Sequence, residues 1–395
     1  MRILVVSSYL PYPLDSGGHI RLFNLLTYLS KRHELTLVCE MRAHQTQDDL
    51  AAVREICKDV FPVPRRKQWS AGNIAKSALG GDPFLVVGHT NFLMQEELKH
   101  LFATKTFDLI HIETFYVSQN LPSPKGVPVV LVEHNIEYEV YQKFADKVTA
   151  LLRPALLRDV RKLQRSEEAA WGKASCVVAV SENERQVIAR IAQKTALVPN
   201  GVSLSDFPLK GEKPPGRKLL LFIGNFKWLQ NRDAALWLLK EVWPQLKDKG
   251  DFVLRIVGKH IPENIRSFAS DGVVIDTNAT ENTSQIFREA YLLLAPIWIG
   301  GGTSYKILES MASGTPVITT PLGLAGIEAK DGESIVVANT PGEFVSRIHA
   351  LVQDGKLYES IAENARKIIE KTYSWDRIGG LLEDVYREAV SEKSS

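Results

Sequence analysis

The sequence is poor in cysteine, with three cysteines among 395 residues. Cys39, Cys57 and Cys176 are widely separated and odd in number, so they fit neither a disulfide framework nor a metal-binding cluster. Free cysteine is among the residue types most often buried in protein cores. We therefore expect three reduced, buried thiols in a protein that works in the cytoplasm.

Long hydrophobic runs are also absent. The first apolar run ends at Ser7 and Ser8, which is too short for a signal-peptide core, and it predicts a buried first strand instead. No later run approaches the length of a transmembrane helix. The formal net charge is only +2, which argues against a dedicated nucleic-acid-binding protein. The expectation is a cytoplasmic globular protein with no nucleic-acid partner.

Short apolar segments alternate with helical patterns along the chain. A chain of 395 residues is too long for one ordinary core and predicts two domains. Near-continuous apolar strands separated by helices indicate parallel sheets covered on both faces, and hence two doubly wound α/β domains. The predicted strands are 3–7, 35–39, 109–112, 127–132, 176–180, 219–223, 252–257, 273–275, 292–295, 317–319 and 334–337. The predicted helices include 20–32, 47–58, 232–247, 283–290, 341–352, 356–372 and 376–390.

The clearest break in this pattern is the charged, proline-rich segment 207–217, FPLKGEKPPGR. We predict a first domain over 1–206, a linker over 207–217 and a second domain over 218–373. Residues 374–395 are expected to pack back on the first domain. Ligands in open α/β sheets bind at the carboxyl ends of the strands, so the cleft between two such domains is the expected active site.

Residues 296–320 read PIWIGGGTSYKILESMASGTPVITT and place three consecutive glycines ahead of a predicted helix. Backbone N–H groups at a helix N-terminus bind anions, and glycine allows a phosphate to approach the chain closely. Thr303 or Ser304 can cap this helix, and Glu309 lies about one and a half turns into it. A glycine run, a capped helix and an embedded acid together predict a nucleotide-sugar site.

Several segments, taken in order, match one family over essentially the whole chain. They are SGGHIRLFNLLTYLSKRHELTLV, VEHNIEYEVYQKF, SCVVAVSENERQVI, VPNGVSLSDF, GNFKWLQNRDAALWLL, the glycine-rich segment at 296–320 and the final YSW. In order and spacing they resemble the retaining glycosyltransferases of family 4, which have the GT-B fold. The resemblance implies two Rossmann-like domains facing across a cleft, with a C-terminal helix returning to the first domain.

The resemblance also implies an activity. Such enzymes transfer a hexose from a nucleotide diphosphate sugar, here a UDP- or GDP-sugar, to a hydroxyl acceptor with retention of configuration. The implied acceptor, bound by the first domain, is a glycan, a lipid-linked saccharide or a small metabolite, as in polysaccharide biosynthesis. The leaving phosphate helps to deprotonate the acceptor in this mechanism, so no protein nucleophile and no cofactor are expected.

The resemblance assigns roles to residues at matching positions. His134, which follows a predicted strand, matches the active-site histidine, and Glu309 matches the catalytic-site acid that is expected to bind the nucleotide ribose. Gly17 and Gly18 match a glycine loop near the acceptor and the donor phosphates. The other residues implied at the donor diphosphate and sugar are Gly224, Lys227, Gly300, Gly301, Gly302, Thr303, Ser304 and Lys306.

Each of these assignments competes with a plainer interpretation. A glycine pair after Asp15 and Ser16 is a normal turn and helix cap. A lone histidine is more often a satisfied core or surface residue, and a single acid on a helix is usually solvated. Lys227 and Lys306 can equally be surface cations.

The chain departs from the family pattern in its charged residues. The first acid of the E-x7-E motif falls on Gly301, which leaves the sugar preference open. Asn225 and Asn231 stand where many members place Arg and Lys to neutralise the diphosphate, so Lys227, Lys306 or Arg232 is expected to supply that charge. No D-x-D pair occurs, and we therefore expect a metal-independent reaction in which a helix N-terminus and a cation stabilise the leaving group.

Basic residues are interleaved with leucine and alanine between Lys143 and Lys173. Such a pattern can hold a protein against an anionic membrane surface, and the basic triplet at 65–67 ahead of Trp69 adds to it. A solvated helix face, interrupted at Pro154, is the simpler interpretation.

Two other functions share this architecture. A nucleotide-sugar 2-epimerase needs additional acid and base carboxylates and turns over its substrate without an acceptor. A GT-B module that binds nucleotide or sugar without turnover is compatible with the missing first acid. A nicotinamide dehydrogenase is disfavoured, because no G-x-G-x-x-G follows the first strand.

Overall fold

The computed structural model describes residues 1–124, 126–146, 148–211, 214, 216–278, 283–298 and 303–392. The chain forms two compact units: Met1–Pro199 together with Ile378–Ser395, and Asn200–Arg377. Each unit contains a parallel sheet covered by helices. This confirms the α/β class and the two Rossmann-like sheets predicted from the alternation of strands and helices.

The described residues of the first unit form a seven-stranded parallel sheet in the order β3-β2-β1-β4-β5-β6-β7. The strands are β1 (Arg2–Ser7), β2 (Glu34–Met41), β3 (Asp59–Pro64), β4 (Leu109–Glu113), β5 (Val129–Val132), β6 (Cys176–Ala179) and β7 (Thr195–Leu197). The chain turns to opposite sides of β1, with β2 on one side and β4 on the other. The carboxyl ends of these strands therefore border a topological switch point, where α/β folds bind ligands.

Several helices of the first unit begin at polar caps. Ser16, Thr46 and Ser70 each accept a hydrogen bond from a backbone N–H of the helix that follows. The helices are α1 (Gly17–Ser30), α2 (Gln47–Arg54), α3 (Ala71–Leu79), α4 (Phe84–His89), α5 (Phe92–Thr104), α6 (Glu137–Ala145), α7 (Arg153–Lys173) and α8 (Glu182–Ile188), with a 3-10 helix at Phe115–Asn120. No helix among the described residues is long and apolar enough to cross a membrane.

The second unit contains a six-stranded parallel sheet in its described residues, in the order β10-β9-β8-β11-β12-β13. The strands are β8 (Lys218–Ile223), β9 (Phe252–Val257), β10 (Val273–Asp276), β11 (Leu292–Ala295), β12 (Val317–Thr319) and β13 (Val336–Val337). The helices are α9 (Leu229–Trp237), α10 (Trp243–Leu246), α11 (Glu263–Arg266), α12 (Thr283–Glu289), α13 (Tyr305–Ala312), α14 (Pro321–Leu324), α15 (Pro341–Gln353) and α16 (Gly355–Ile368). Wider π-helical turns at Leu238–Val242 and Ile369–Tyr373 extend α9 and α16.

The last helix, α17 (Trp375–Ser391), belongs to the first unit from Ile378 onwards. Gly379 brings it against α1, since a Cβ atom at this position would lie 2.3 Å from Cγ of Tyr28. Only glycine allows such close packing without displacing the ring. The predicted return of the C-terminal helix to the first domain is confirmed.

The structure divides the chain earlier than the composition suggested, between residues 199 and 200. Phe207, at the start of the segment predicted as a linker, is buried in the core of the second unit. Lys210 donates hydrogen bonds to the Ala290 carbonyl oxygen (3.0 Å) and the Thr315 hydroxyl (2.9 Å). The described part of this segment is thus anchored by partners distant in sequence, which composition does not reveal.

The sequence patterns omitted several elements of the first unit. Strand β3, DVFPVP, contains Pro62 and Pro64, which are tolerated because it is an edge strand. Strand β7 spans only three residues, and α3, α4 and α5 lie in a stretch without a clear period. Pro154 was predicted to interrupt a basic helix, but it occupies the first turn of α7, where proline lacks only an N–H that has no partner in the helix.

Candidate active site

A polar cluster lies at the carboxyl ends of β4 and β5 in the first unit. Glu113 is the last residue of β4, and His134 follows β5 by two positions. In the sheet register Glu113 pairs with Ser7 of β1 on one side and Val132 of β5 on the other. Parallel pairing therefore brings three strand ends together around Glu113.

The carboxylate of Glu113 is fully buried and accepts hydrogen bonds from three side chains. His134 Nε2 lies 2.5 Å from its Oε1, His111 Nε2 lies 2.6 Å from its Oε2, and Tyr9 donates its hydroxyl to Oε1 at 3.2 Å. Burial alone would raise the pKa of Glu113. Attraction to His134 and hydrogen bonds from His111 and His134 outweigh burial and hold this pKa well below its usual range.

The hydrogen-bond acceptors of this cluster determine which ring nitrogen of each histidine carries a proton. An ionised carboxylate can only accept, so Nε2 of both histidines carries a proton. Tyr386 of α17 then donates its hydroxyl to Nδ1 of His111, at 2.5 Å. The Nδ1 atom of His134 makes no hydrogen bond to a described residue, and 18% of this side chain is exposed. His134 is therefore held by one ring nitrogen and presents the other.

Gly17 and Gly18 are the first two residues of α1, after the cap Ser16. A Cβ atom on Gly18 would lie 3.0 Å from the Tyr9 hydroxyl, which itself lies 3.5 Å from His134 Nε2. The structure thus places Gly18 and His134, two residues predicted from sequence, beside the same Tyr9 hydroxyl.

The glycine-rich segment of the second unit, 296–320, is described at residues 296–298 and from Thr303 onwards. Gly300, Gly301 and Gly302 lie outside the described residues. The Thr303 hydroxyl is buried and has no hydrogen-bond partner among the described residues. Ser304 is the cap residue of α13, yet its side chain makes no capping hydrogen bond. The first turn of α13 therefore keeps polar groups for which the described protein provides no partner.

Glu309 lies in the middle of α13, which ends where Gly314 adopts a positive φ of 71°. Its side chain is partly buried, and none of the described residues donates a hydrogen bond to its carboxylate. Burial raises the pKa of Glu309 to about 7, and Lys306 opposes that rise only in part. A carboxylate held in this way has strong capacity to accept hydrogen bonds from a ligand.

Lys306 projects from the first turn of α13 toward the loop after β8. Its Nζ donates a hydrogen bond to Asn231 Oδ1 at 2.9 Å and lies 4.7 Å from the centre of the Phe222 ring. Asn231 in turn donates to the Asn225 carbonyl oxygen at 2.8 Å. Burial lowers the pKa of Lys306 to about 8, and Glu309 limits the decrease. Asn231 of α9 therefore contacts a cation that belongs to another helix.

The other residues expected near the diphosphate take different positions. Gly224 packs directly on Asn231, since a Cβ atom there would lie 2.8 Å from Asn231 Cγ. Lys227 is exposed, and its backbone N–H donates to Asn225 Oδ1 at 3.0 Å. Arg232 donates its Nε proton to the Phe226 carbonyl oxygen. Gly224 and Lys306 thus both contact Asn231. Arg232 stabilises the loop after β8, and the Lys227 side chain is exposed to solvent.

Sequence reasoning missed the supports of His134. Glu113, His111 and Tyr9 were not identified, although β4 reads LIHIE and alternates two ionisable residues with apolar ones inside a buried strand. Such polar residues in a strand covered on both faces require partners, and that requirement was the available signal. Tyr386 offered no local signal, because its role depends on where α17 returns. Among the described residues, no group of three or more His, Cys, Asp or Glu side chains is placed to hold a metal ion.

Two families match the chain. The family described as Glycosyltransferase Family 4 matches residues 16–206, and the family described as Glycosyl transferases group 1 matches residues 217–354. An uncharacterized 44.6 kDa protein in the cps region of Klebsiella pneumoniae is 23% identical over 391 residues, which cover 95% of this chain and 97% of that protein. The D-inositol 3-phosphate glycosyltransferase of Streptomyces bingchenggensis is 26% identical over 57% of this chain and 55% of its own length.

Solved structures show the same fold over nearly the whole chain. Sucrose-phosphate synthase from Thermosynechococcus elongatus has a TM-score of 0.71 at 16% identity and covers 99% of this chain and 100% of its own. HepE from Anabaena, solved in complex with UDP-glucose, has a TM-score of 0.66 at 14% identity and covers 98% and 100%. The chain belongs to the group 1, family 4 glycosyltransferases, which have the GT-B fold and use a nucleotide-sugar donor.

Proposed function

We propose that the protein is a retaining, metal-independent hexosyltransferase that uses a UDP- or GDP-hexose and a hydroxyl acceptor. The observation that carries the proposal is the pair Lys306 and Glu309 on α13, a partly buried cation and a partly buried acid that form no salt bridge with each other. A nucleotide diphosphate sugar has matching groups, since its diphosphate needs a cation and its ribose offers hydroxyl donors.

The donor would bind at the start of α13. Glycines 300, 301 and 302, together with Thr303 and Ser304, would supply backbone N–H and hydroxyl donors to the diphosphate. Lys306 would neutralise the charge that develops on the leaving phosphate, in place of the Arg and Lys expected from the family resemblance where this chain has Asn225 and Asn231. Glu309 would accept from the ribose hydroxyls.

His134 would contact the transferred sugar. Glu113 holds its Nε2–H at 2.5 Å, so Nδ1 is the nitrogen available to a sugar hydroxyl. In a retaining transfer the bond between sugar C1 and the phosphate oxygen breaks while the acceptor oxygen bonds to C1 on the same face. The acceptor proton passes to the leaving phosphate oxygen, so this scheme uses no protein nucleophile.

Nucleotide binding provides the first test. Thermal shift with UDP, GDP and ADP should single out one nucleotide, because ligand binding stabilises the folded state by mass action. Turnover of the matching sugar nucleotide should then require an acceptor hydroxyl and persist in EDTA. Turnover without any acceptor would indicate an epimerase, and tight binding without transfer or hydrolysis on any donor would indicate a binding module.

Peripheral contact with an anionic membrane is supported by an exposed apolar and basic surface at the start of α7. Leu151 is 89% exposed, and Leu152 and Phe144 are also exposed. Lys143 and Arg158 lie on the flanking helices and are exposed too. Replacing Leu151 and Leu152 with serine should reduce sedimentation with vesicles containing anionic lipid, whereas Ile191→Ser should not. Equal sedimentation of both variants with the wild type would contradict this contact.

A further inference from the structure

The long helix α7 holds the segment that carries His134. This segment, residues 133–136, runs from the end of β5 to the start of α6. Glu167 and Trp171 lie four residues apart on α7, so both side chains project from the same face of that helix. Both are fully buried, and neither takes part in the donor and sugar contacts proposed above.

Glu167 completes the start of α6, on the C-terminal side of His134. Ile136, the residue before α6, has no side chain that could cap the helix. The carboxylate of Glu167 takes that place. It accepts the backbone N–H of Glu137 at 2.8 Å through Oε1 and that of Tyr138 at 2.9 Å through Oε2. These are the first two N–H groups of α6, which have no acceptor within the helix, so one buried carboxylate fixes where α6 begins.

Trp171 holds the residue on the N-terminal side of His134. Its indole Nε1 donates a hydrogen bond to Glu133 Oε1 at 3.0 Å, and the backbone N–H of Glu133 donates to the Val178 carbonyl oxygen at 2.9 Å. Burial raises the pKa of both carboxyl groups, and repulsion from Glu167 adds to the rise at Glu133, so Glu133 carries the proton of the pair. Helix α7 therefore contacts the segment on both sides of His134.

We propose that Glu167 and Trp171 are positioning residues for His134 in the transfer reaction. The ring of His134 is held through Nε2 by Glu113, but its backbone belongs to a segment without regular secondary structure. The ring presents Nδ1 to a sugar hydroxyl in a fixed place only if that backbone is fixed as well. The inference rests on the proposed transferase function and adds two residues that act through His134.

The variants Glu167→Gln and Trp171→Phe of the full chain test this role. Glutamine offers one oxygen and one amide group, so it cannot accept from both backbone N–H groups. Glu167→Asp keeps the carboxylate on a shorter side chain. Asp159→Asn is the matched control. Asp159 lies on the same helix, and its carboxylate likewise accepts a backbone N–H at a helix start, that of Phe84 in α4 at 3.0 Å.

The first readout is the magnetic-resonance signal of the His134 ring, which does not depend on activity. The protein contains nine histidines, and in a sample with isotope-labelled histidine the signal of His134 is the one that His134→Gln lacks. Glu167→Gln and Trp171→Phe should shift or broaden this signal, because the ring then samples more orientations. Asp159→Asn should leave it unchanged.

The second readout separates transfer from nucleotide binding. We expect kcat to fall about tenfold in Glu167→Gln and severalfold in Trp171→Phe, with the Kd for the nucleotide unchanged. Glu167→Asp should recover part of the loss. In the His134→Ala background Glu167→Gln should lower kcat little further, because both changes disrupt the same function. If Glu167→Gln proves unstable, Trp171→Phe applies the same tests from the other side of His134.

The role is overturned if Glu167→Gln and Trp171→Phe leave the His134 signal and kcat as in the wild type, or if Asp159→Asn changes both to the same extent. It is also overturned if Glu167→Gln lowers kcat as much in His134→Ala as in the wild type. A wild type that binds no nucleotide or transfers no sugar would contradict the proposed transferase instead, and the His134 signal would still test the positioning by α7.

Discussion

The buried carboxylate beside His134 in the first unit, Glu113, and the carboxylate on α13 in the second unit, Glu309, differ in how many hydrogen bonds the protein donates to them. Around Glu113 the protein supplies three hydrogen-bond donors, at 2.5, 2.6 and 3.2 Å. Around Glu309 the described protein supplies none, and burial raises its pKa to about 7. The chain itself supplies the hydrogen-bond donors of the Glu113 carboxylate, whereas the Glu309 carboxylate is available to a ligand.

Under the proposed function, this difference assigns different tasks to the two carboxylates. A side chain that must act on a reacting sugar gains from being held in one orientation before substrate arrives. A residue that binds the nucleotide gains from an unused hydrogen-bonding capacity that only the nucleotide fills. The comparison predicts that changes at Glu113 act on the rate of transfer, whereas changes at Glu309 act on donor affinity.

Removing the charge of Glu113 should have the largest effect. Glu113→Gln replaces one acceptor oxygen with an amide N–H group, so the amide cannot accept from both histidines at once, and the orientation of His134 is lost. We expect kcat to fall about 100-fold or more, the size of effect seen when a positioned catalytic group is lost. Single-turnover kinetics with saturating donor would measure this loss.

The control for Glu113→Gln is Glu55→Gln, an exposed acid in the same unit. Nucleotide affinity of Glu113→Gln should match that of the wild type in calorimetry. If affinity and kcat fall together, or if the Glu55 variant is equally impaired, Glu113 does not act by positioning His134.

Truncating Glu309 should have the next largest effect. Glu309→Ala removes an acceptor of charge-assisted hydrogen bonds, each worth about 1.5–3 kcal/mol, so the Kd for the nucleotide should rise about 10- to 100-fold. Glu309→Gln should lie between this variant and the wild type. Calorimetry with UDP or GDP measures the change, and the exposed Glu333→Ala is its control. Unchanged affinity in Glu309→Ala would remove this residue from the donor site.

The pH dependence of donor binding sharpens the comparison further. Glu309, with a pKa of about 7, loses its charge as the pH falls, and Lys306, with a pKa of about 8, loses its charge as the pH rises. Affinity for an intact sugar nucleotide, whose diphosphate does not titrate here, should therefore be greatest between these values and fall severalfold on either side. Calorimetry from about pH 6 to 9 should show an affinity for the sugar nucleotide that peaks between the two pKa values. In Lys306→Gln the decrease of this affinity on the alkaline side should disappear. A profile unaltered by Lys306→Gln would contradict its contact with the donor.

The fold was predictable from sequence because its strongest signals are local. Strands such as β9, FVLRIV, were predicted with their observed bounds, since a buried parallel strand is a short apolar run. Strand β3 was missed because its prolines signal a loop, and only its place at the sheet edge makes it a strand. The segment after residue 206 reads as a linker because nothing local indicates that Lys210 meets Ala290 and Thr315.

The candidate site was predictable only in part. His134 follows a strand and Gly18 begins a helix, where chain position alone suggests exposure to a ligand. Glu309 lies in the middle of α13, and its predicted role came from the resemblance to the family. Lys306 was one of three cations considered, and its contact with Asn231 distinguishes it from the exposed Lys227. Glu113 and Tyr386 lie 273 residues apart in sequence and meet through His111, so their connection depends on the packing of α17. Local patterns do not contain such information.

The most distant support of His134 should give the smallest effect. Tyr386→Phe removes the hydroxyl that donates a hydrogen bond to His111 Nδ1 and leaves the packing of the ring intact. One neutral hydrogen bond is worth about 0.5–1.5 kcal/mol, so we expect kcat to fall about two- to tenfold with nucleotide affinity unchanged. Tyr28→Phe is the matched control. The Tyr28 hydroxyl lies 3.5 Å from Glu383, which is on α17 like Tyr386, and it takes no part in the hydrogen bonds around Glu113. If both variants lose the same activity, α17 contributes packing alone. A loss confined to Tyr386→Phe would show that the hydrogen-bond network that orients His134 includes Tyr386 of the C-terminal helix.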